Sequence, residues 1–159
     1  MQNGRVTARL RVMVVHHEAD FALKLADGLA AHGYGVMIAR DMGEVLELLH
    51  DSRPNAILLD LHLRAMAGMQ VLRIIKSIYP QIPVITITEA PLNELAHLSV
   101  KAGASTFLLK PFELQHMKTL IDAHLRKTET DENQPGVRRL APAPPTVKES
   151  VPAVDQAAR

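Results

Sequence analysis

The chain has 159 residues, the length of one domain of ordinary size, and its 18 basic and 17 acidic side chains leave a formal net charge of +1. That balance gives no overall basic field to draw the protein onto nucleic acid or an anionic membrane, and the lack of cysteine excludes a disulfide scaffold, a thiolate metal site and a cysteine nucleophile. No apolar run approaches the roughly 18 residues of a membrane span, and the opening stretch MQNGRVTARLRVMVV carries no signal-peptide pattern, so the expectation is a soluble, cytoplasmic protein.

Residues 1–9 read as a flexible N-terminus. From residue 10 the chain alternates short β-rich apolar runs, at 10–15, 34–38, 56–60, 83–88 and 106–110, with segments of helical spacing. The helical segments carry Phe21, Leu25 and Leu29; then Val45, Leu46 and Leu49; then Val71, Leu72, Ile74 and Ile75; then Leu92, Leu95 and Val100; and finally Leu114, Met117, Leu120, Ile121 and Leu125. Local signals agree with this division. Asp41 and Glu44 have the spacing of a capping box, Pro91 suits a first helical turn, and Gly33, Gly35 and Gly103 fall where helices should stop. Runs one, three and four are nearly continuous in apolar residues, as central parallel strands covered on both faces should be.

The pattern is (βα)5 over residues 10–127, an α/β doubly wound parallel sheet with right-handed crossovers. Residues 128–159 read as a disordered tail: no aromatic residue, one leucine, five of the ten prolines, and five acidic against four basic side chains. Such a stretch buries too little apolar area to offset its ordering entropy.

Doubly wound sheets place their sites beyond the C-terminal ends of the strands. The residues there are His16, His17 and Glu18 after strand one, Asp60 and His62 at strand three, Thr88 and Glu89 at strand four, and Lys110 with Pro111 at strand five. Four strands thus contribute to one polar cluster.

The segments PNAILLDLHLRAMAGMQVL, IPVITIT and KAGASTFLLKPF, in this order and spacing, resemble the phosphoacceptor, hydroxyl and lysine segments of the receiver domain of two-component response regulators. The resemblance covers residues 10–127. It implies a flavodoxin-like, CheY-like five-stranded sheet in the order 2-1-3-4-5, and a signalling module rather than an enzyme. It makes Asp60 the phosphoacceptor, Thr88 and Lys110 the hydroxyl and cation that meet the phosphoryl group, and Phe107 the aromatic switch. It also implies a histidine kinase or phosphotransfer protein as donor, and a downstream effector bound through helix 4, strand 5 and helix 5. A homodimer is a further arrangement to test. The residue types suit the chemistry, since a carboxylate attacking a phosphoryl group needs fixed cations and donors around the transferring oxygens.

Where the family has an acidic pair that holds a divalent metal, this chain has His16 and His17, followed by Glu18. Mg2+ is the metal expected from the resemblance. It prefers oxygen ligands, so with only Asp60 and the backbone carbonyl of His62 left to hold it, affinity should be weak. Glu89 stands where the family has a small residue, narrowing the entrance, and Arg64 and Ala67 replace the usual proline and aspartate after the acceptor. With one acceptor carboxylate remaining, Asp60 and Lys110 can pair directly, and an imidazolium at His17 would partly replace the missing metal charge. That arrangement predicts phosphorylation that is insensitive to Mg2+ and stronger at lower pH.

Two alternatives follow from the same residues. One is a phosphorylation-independent pseudo-receiver acting as a protein-interaction module. The other is a transition-metal module using His16, His17 and Asp60, which requires the chain to turn at the histidines because consecutive strand residues point to opposite faces. Among enzymes on this topology, a flavin carrier needs a hydroxyl- and glycine-rich loop where HHEADF stands, and no G-x-S-x-G elbow supports a hydrolase. A DNA-binding regulator would need a helix-turn-helix that the tail cannot supply. The remaining histidines, His32, His50, His97, His116 and His124, are scattered without metal-ligand spacing.

Overall fold

Five short apolar strands, each followed by an amphipathic helix, produce the observed order: β1 (Arg11–Val15), α1 (Ala19–Ala31), β2 (Gly35–Ala39), α2 (Met42–Ser52), β3 (Ala56–Asp60), α3 (Gly68–Ile78), β4 (Val84–Glu89), α4 (Asn93–Lys101), β5 (Thr106–Lys110) and α5 (Leu114–Glu132). The computed structural model describes residues 9–63, 68–89 and 93–132. Pro91, Arg64, Ala67, the first eight residues and the tail beyond Glu132 lie outside the described residues. All strand pairings are parallel, and the sheet order is β2-β1-β3-β4-β5.

The two faces of the sheet are covered by different helices. Val12, Val14, Ala56, Leu58, Ile85, Ile87 and Leu108 point toward α1 and α5, where they meet Leu25, Leu29, Met117 and Ile121. Met13, Val15, Ile57, Leu59 and Val84 point the other way, against Val45 and Leu49 of α2 and Val71, Leu72 and Ile75 of α3. Every β3 residue is buried, as a central parallel strand requires. The period-two alternation carries on past the apolar residues: His16 continues Val12 and Val14, Asp60 continues Ala56 and Leu58, and Lys110 continues Leu108. The fold therefore delivers three polar side chains to the α1/α5 side of the sheet, at its C-terminal edge.

Local punctuation matches the expected signals with informative differences. Asp41 caps α2 by accepting from the Glu44 amide at 2.9 Å, but the return arm of the capping box lands one residue early: Glu44 Oε2 accepts from the Arg40 amide at 2.8 Å. Gly33 (φ +90°) and Gly103 (φ +113°) end α1 and α4. At the first, Tyr34 N–H reaches Leu29 O and Gly33 N–H reaches Ala30 O; at the second, Ala104 N–H reaches Ser99 O and Gly103 N–H reaches Val100 O. Both are Schellman closures, which favour glycine at the left-handed position. Gly35 is no helix stop; it opens β2. The stop of α2 falls instead on Arg53, which adopts φ +41° without being glycine. Helix α5 continues to Glu132, past the residue 127 at which its apolar period ends; no glycine or proline interrupts Thr128–Glu132, and Pro135 lies just beyond.

Candidate functional site

Asp60 ends β3 and is fully buried, as are His16, at the exit of β1, and Thr88, near the end of β4. Asp60 Oδ1 accepts from the backbone N–H of His62 at 2.9 Å. Its second oxygen, Oδ2, faces three nitrogens: His16 Nε2 at 3.0 Å, His17 Nδ1 at 3.6 Å and Lys110 Nζ at 3.6 Å. None of these approaches is an aligned hydrogen bond, and among the described residues Oδ2 and His17 Nδ1 are both buried without a hydrogen-bond partner. Burial by itself raises the Asp60 carboxyl pKa. The contact with the His16 ring, the His62 amide and the positive charge of Lys110 outweigh it and hold the carboxyl below its ordinary value.

The two histidines meet the condition for acting together, because the chain leaves β1 and bends at His17. Their rings stack with centroids 5.2 Å apart and planes 12° from parallel, and both reach the same carboxylate oxygen. Glu18 organises both. Its N–H donates to His16 Nδ1 at 3.0 Å, while its carboxylate stands 3.5 Å from His17 Nε2. This explains why Glu18, at the N-cap of α1, makes no side-chain capping bond. His16 Nε2 also lies 3.2 Å from Lys110 Nζ.

Lys110 and Thr88 both lie at the C-terminal edge of the sheet. The Lys110 ammonium sits between Asp60 and Glu89, whose Oε1 is 4.0 Å away, and the Thr88 hydroxyl is bonded to the His62 ring, Nε2 to Oγ1, at 3.1 Å. His62, whose carbonyl the family resemblance offers to a metal, reaches Asp60 through its amide and Thr88 through its ring. Glu89 is 63% exposed and lines a cavity of about 380 Å³ with Phe21, Lys110, Pro111 and Phe112. Phe107 sits apart: it faces the opposite side of the sheet from Lys110, three residues (about 10 Å) earlier on β5, and its ring lies 5.6 Å from that of His97.

Two aromatic residues belong to the site without having been singled out as such. Phe21 lies under the Lys110 ammonium at 4.6 Å from its ring centroid and packs on His16 at 4.6 Å; Phe112 meets Phe21 edge-on at 6.2 Å. The signal for Phe21 was its place in the first turn of the helix that follows the histidines. Periodicity alone assigned it to the core.

Mg2+ fits this donor set poorly. Two imidazoles occupy the places where oxygen ligands would be needed, and the Lys110 ammonium already lies beside the remaining carboxylate. His16, His17 and Asp60 do offer three ligand atoms within 4.8 Å of one another.

Comparison with known proteins agrees with the fold. Residues 12–122 match the model of the response regulator receiver domain. The response regulator MprA of Mycobacterium sp. (strain KMS) is 31% identical over 123 residues, which are 77% of this chain and 54% of that protein. MprA of Mycobacterium leprae (strain TN) is 30% identical with the same coverage. The chain thus spans about half the length of these curated relatives. Among solved structures, the receiver domain of NtrX from Brucella abortus superposes with a TM-score of 0.70 at 27% identity, over 72% of this chain and 98% of that one. A CheY-like receiver domain protein from Methanospirillum hungatei JF-1 gives 0.73 at 25% identity, over 78% and 99%. No helix among the described residues is long and apolar enough to cross a membrane. A parallel 2-1-3-4-5 sheet with a buried aspartate and a lysine facing each other at its C-terminal edge places the chain in the response regulator receiver family of two-component signalling.

Proposed function

We propose that this receiver domain accepts a phosphoryl group on Asp60 from a phosphohistidine donor, a histidine kinase or phosphotransfer protein, and signals by binding an effector. The observation that carries the reading is the buried Asp60 carboxylate at the strand edge, ionised below its ordinary range and faced by Lys110. In the transfer, a new O–P bond forms at an Asp60 oxygen as the N–P bond of the donor breaks, and the donor imidazole takes up a proton. Oδ2 is the oxygen without an aligned hydrogen bond, so it is the nucleophile that gives up least. Lys110 meets the phosphoryl charge, and the Thr88 hydroxyl joins it by exchanging its bond to the His62 ring for one to a phosphoryl oxygen.

The output surface in this reading is α4, β5 and α5, where Leu98 is 52% and Val100 42% exposed. A competing reading, a module that signals without phosphate, draws on the three nitrogens already gathered at Oδ2. One experiment separates them: incubation with acetyl phosphate, with and without Mg2+, read by intact mass beside Asp60→Asn. A shift of about 80 Da in the wild-type chain alone is the expected result, little changed by Mg2+. No shift under any condition overturns phosphorylation of Asp60 and leaves the phosphate-independent module.

A further inference from the structure

The geometry points to a binding site for a nitrogen-preferring divalent cation of the zinc class, held by His16 Nε2, His17 Nδ1 and Asp60 Oδ2, at the edge of the sheet where magnesium is poorly served.

Ligand type comes first. Zn2+ is ordinarily bound by imidazole nitrogen and carboxylate oxygen, and sites with three protein ligands leave a fourth position for solvent. The three atoms lie within 4.8 Å of one another. In a tetrahedral site with metal–ligand bonds of 2.0–2.1 Å, neighbouring ligand atoms stand about 3.3–3.4 Å apart. The separations from Asp60 Oδ2 to His16 Nε2 and to His17 Nδ1 are 3.0 and 3.6 Å, one on each side of that value.

The second observation is independent of spacing. Among the described residues, Asp60 Oδ2 and His17 Nδ1 are buried and have no hydrogen-bond partner, an arrangement that is unfavourable unless another group satisfies them. They lie 3.6 Å apart, and a cation bound between them would satisfy both. The surroundings of His17 are also those of a ligating histidine: with Nδ1 turned to the ion, its other nitrogen faces the Glu18 carboxylate at 3.5 Å, the usual outer partner of a metal-bound imidazole.

Two contacts must yield for the ion to enter. Ligation through Nε2 puts the His16 ring proton on Nδ1, so the bond from the Glu18 amide opens. The Lys110 ammonium, 3.2 Å from the same Nε2, must withdraw, and Glu89 Oε1 at 4.0 Å offers it a new partner. Cation and Lys110 therefore compete for one position, which gives the site two exclusive occupants.

The test uses the full chain stripped with a chelator and no phosphodonor, so its outcome is independent of whether Asp60 is phosphorylated. Zn2+ is titrated against a chromophoric competitor, Co2+ is followed by its visible ligand-field bands, and Mg2+ is run in parallel. One Zn2+ per chain is expected, with a four-coordinate Co2+ spectrum and no displacement by excess Mg2+. Because His17 is only partly buried, His17→Gln should fold normally by circular dichroism yet weaken Zn2+ binding at least about tenfold and abolish the Co2+ bands. Asp60→Asn should do the same. His50→Gln, on the exposed face of α2, should leave the affinity unchanged. Absence of one-to-one Zn2+ binding, unchanged affinity in folded His17→Gln, or Mg2+ binding as tightly as Zn2+ would each overturn the proposal.

Discussion

Two buried polar clusters flank the same β4 strand, and they differ in how completely they are paired. On the α4 side, the fully buried Thr86 and Ser99 hydroxyls meet at 2.7 Å, and Ser99 also donates to Ala96 O at 2.6 Å. This cluster is closed: it fastens to the sheet a helix whose buried residues, among those described, are the small Ala96 and Ser99. On the α1/α5 side, Asp60, His16, His17 and Lys110 converge with two buried atoms that have no hydrogen-bond partner among the described residues. A closed polar pair contributes order to a core, whereas an open one holds binding capacity in reserve at a cost in stability.

The strongest way to break the open cluster is from behind. A Cβ at Gly68 would lie 2.4 Å from Leu61 Cα and 2.6 Å from the Asp60 carbonyl oxygen, both backbone atoms that can yield only by moving the end of β3. Gly68→Ala should therefore cost about 3 kcal/mol in urea unfolding, and should lower the yield of any Asp60 modification in the same preparation.

Next in size is Asp60→Asn. The new amide must turn its NH2 group either to the nitrogens around Oδ2 or to the His62 N–H, so a loss of about 1–3 kcal/mol is expected by denaturant titration. The variant also tests pH dependence. Because the folded Asp60 pKa lies below its ordinary value, its contribution to stability is complete above about pH 4 and is lost as pH falls through the folded value. The stability of Asp60→Asn should fall less steeply over that acid range than that of the wild type.

The closed cluster should behave differently. Thr86→Val and Ser99→Ala should each cost about 1 kcal/mol, and the double variant less than their sum, since one hydrogen bond is shared between them. Neither should alter the intact-mass shift or Zn2+ binding; a change in either would mean that the two clusters are coupled through β4. The smallest effect is expected away from both. Arg53→Gly relieves a left-handed backbone at the end of α2 while keeping the Arg53 carbonyl that faces Arg11, and should raise stability by about 0.5 to 1 kcal/mol in the same unfolding assay.

The architecture was legible because hydrophobic period is a long-range average. The runs at 56–60 and 106–110 coincide with β3 and β5, β1 begins one residue later than expected, and β2 and β4 are each shifted by one residue toward the C-terminus. The helix stop at Arg53 escaped because nothing in its residue type marks a left-handed position. At the site, Asp60, His16, His17, Thr88 and Lys110 could be named because each lies at or beside the C-terminal end of a strand, and these ends share one edge. What one dimension does not hold is which atom faces which: that His62 turns its amide to Asp60 and its ring to Thr88, that Phe21 lies beneath Lys110, and that Phe107 faces the other side of the sheet. Those facts depend on the bend after β1 and on the side of the sheet each residue occupies.

The double role of Glu18 has a consequence for recognising other chains of this kind. Its backbone holds one imidazole and its carboxylate faces the other, so His16, His17 and Glu18 operate as a single tripeptide unit. A paired histidine followed by a neutral residue would keep the amide contact, which any residue but proline supplies, while losing the carboxylate that orients the second ring. Receivers sharing this chemistry should therefore be sought by His-His-Glu at the exit of the first strand, and those with His-His alone should be expected to form a different centre.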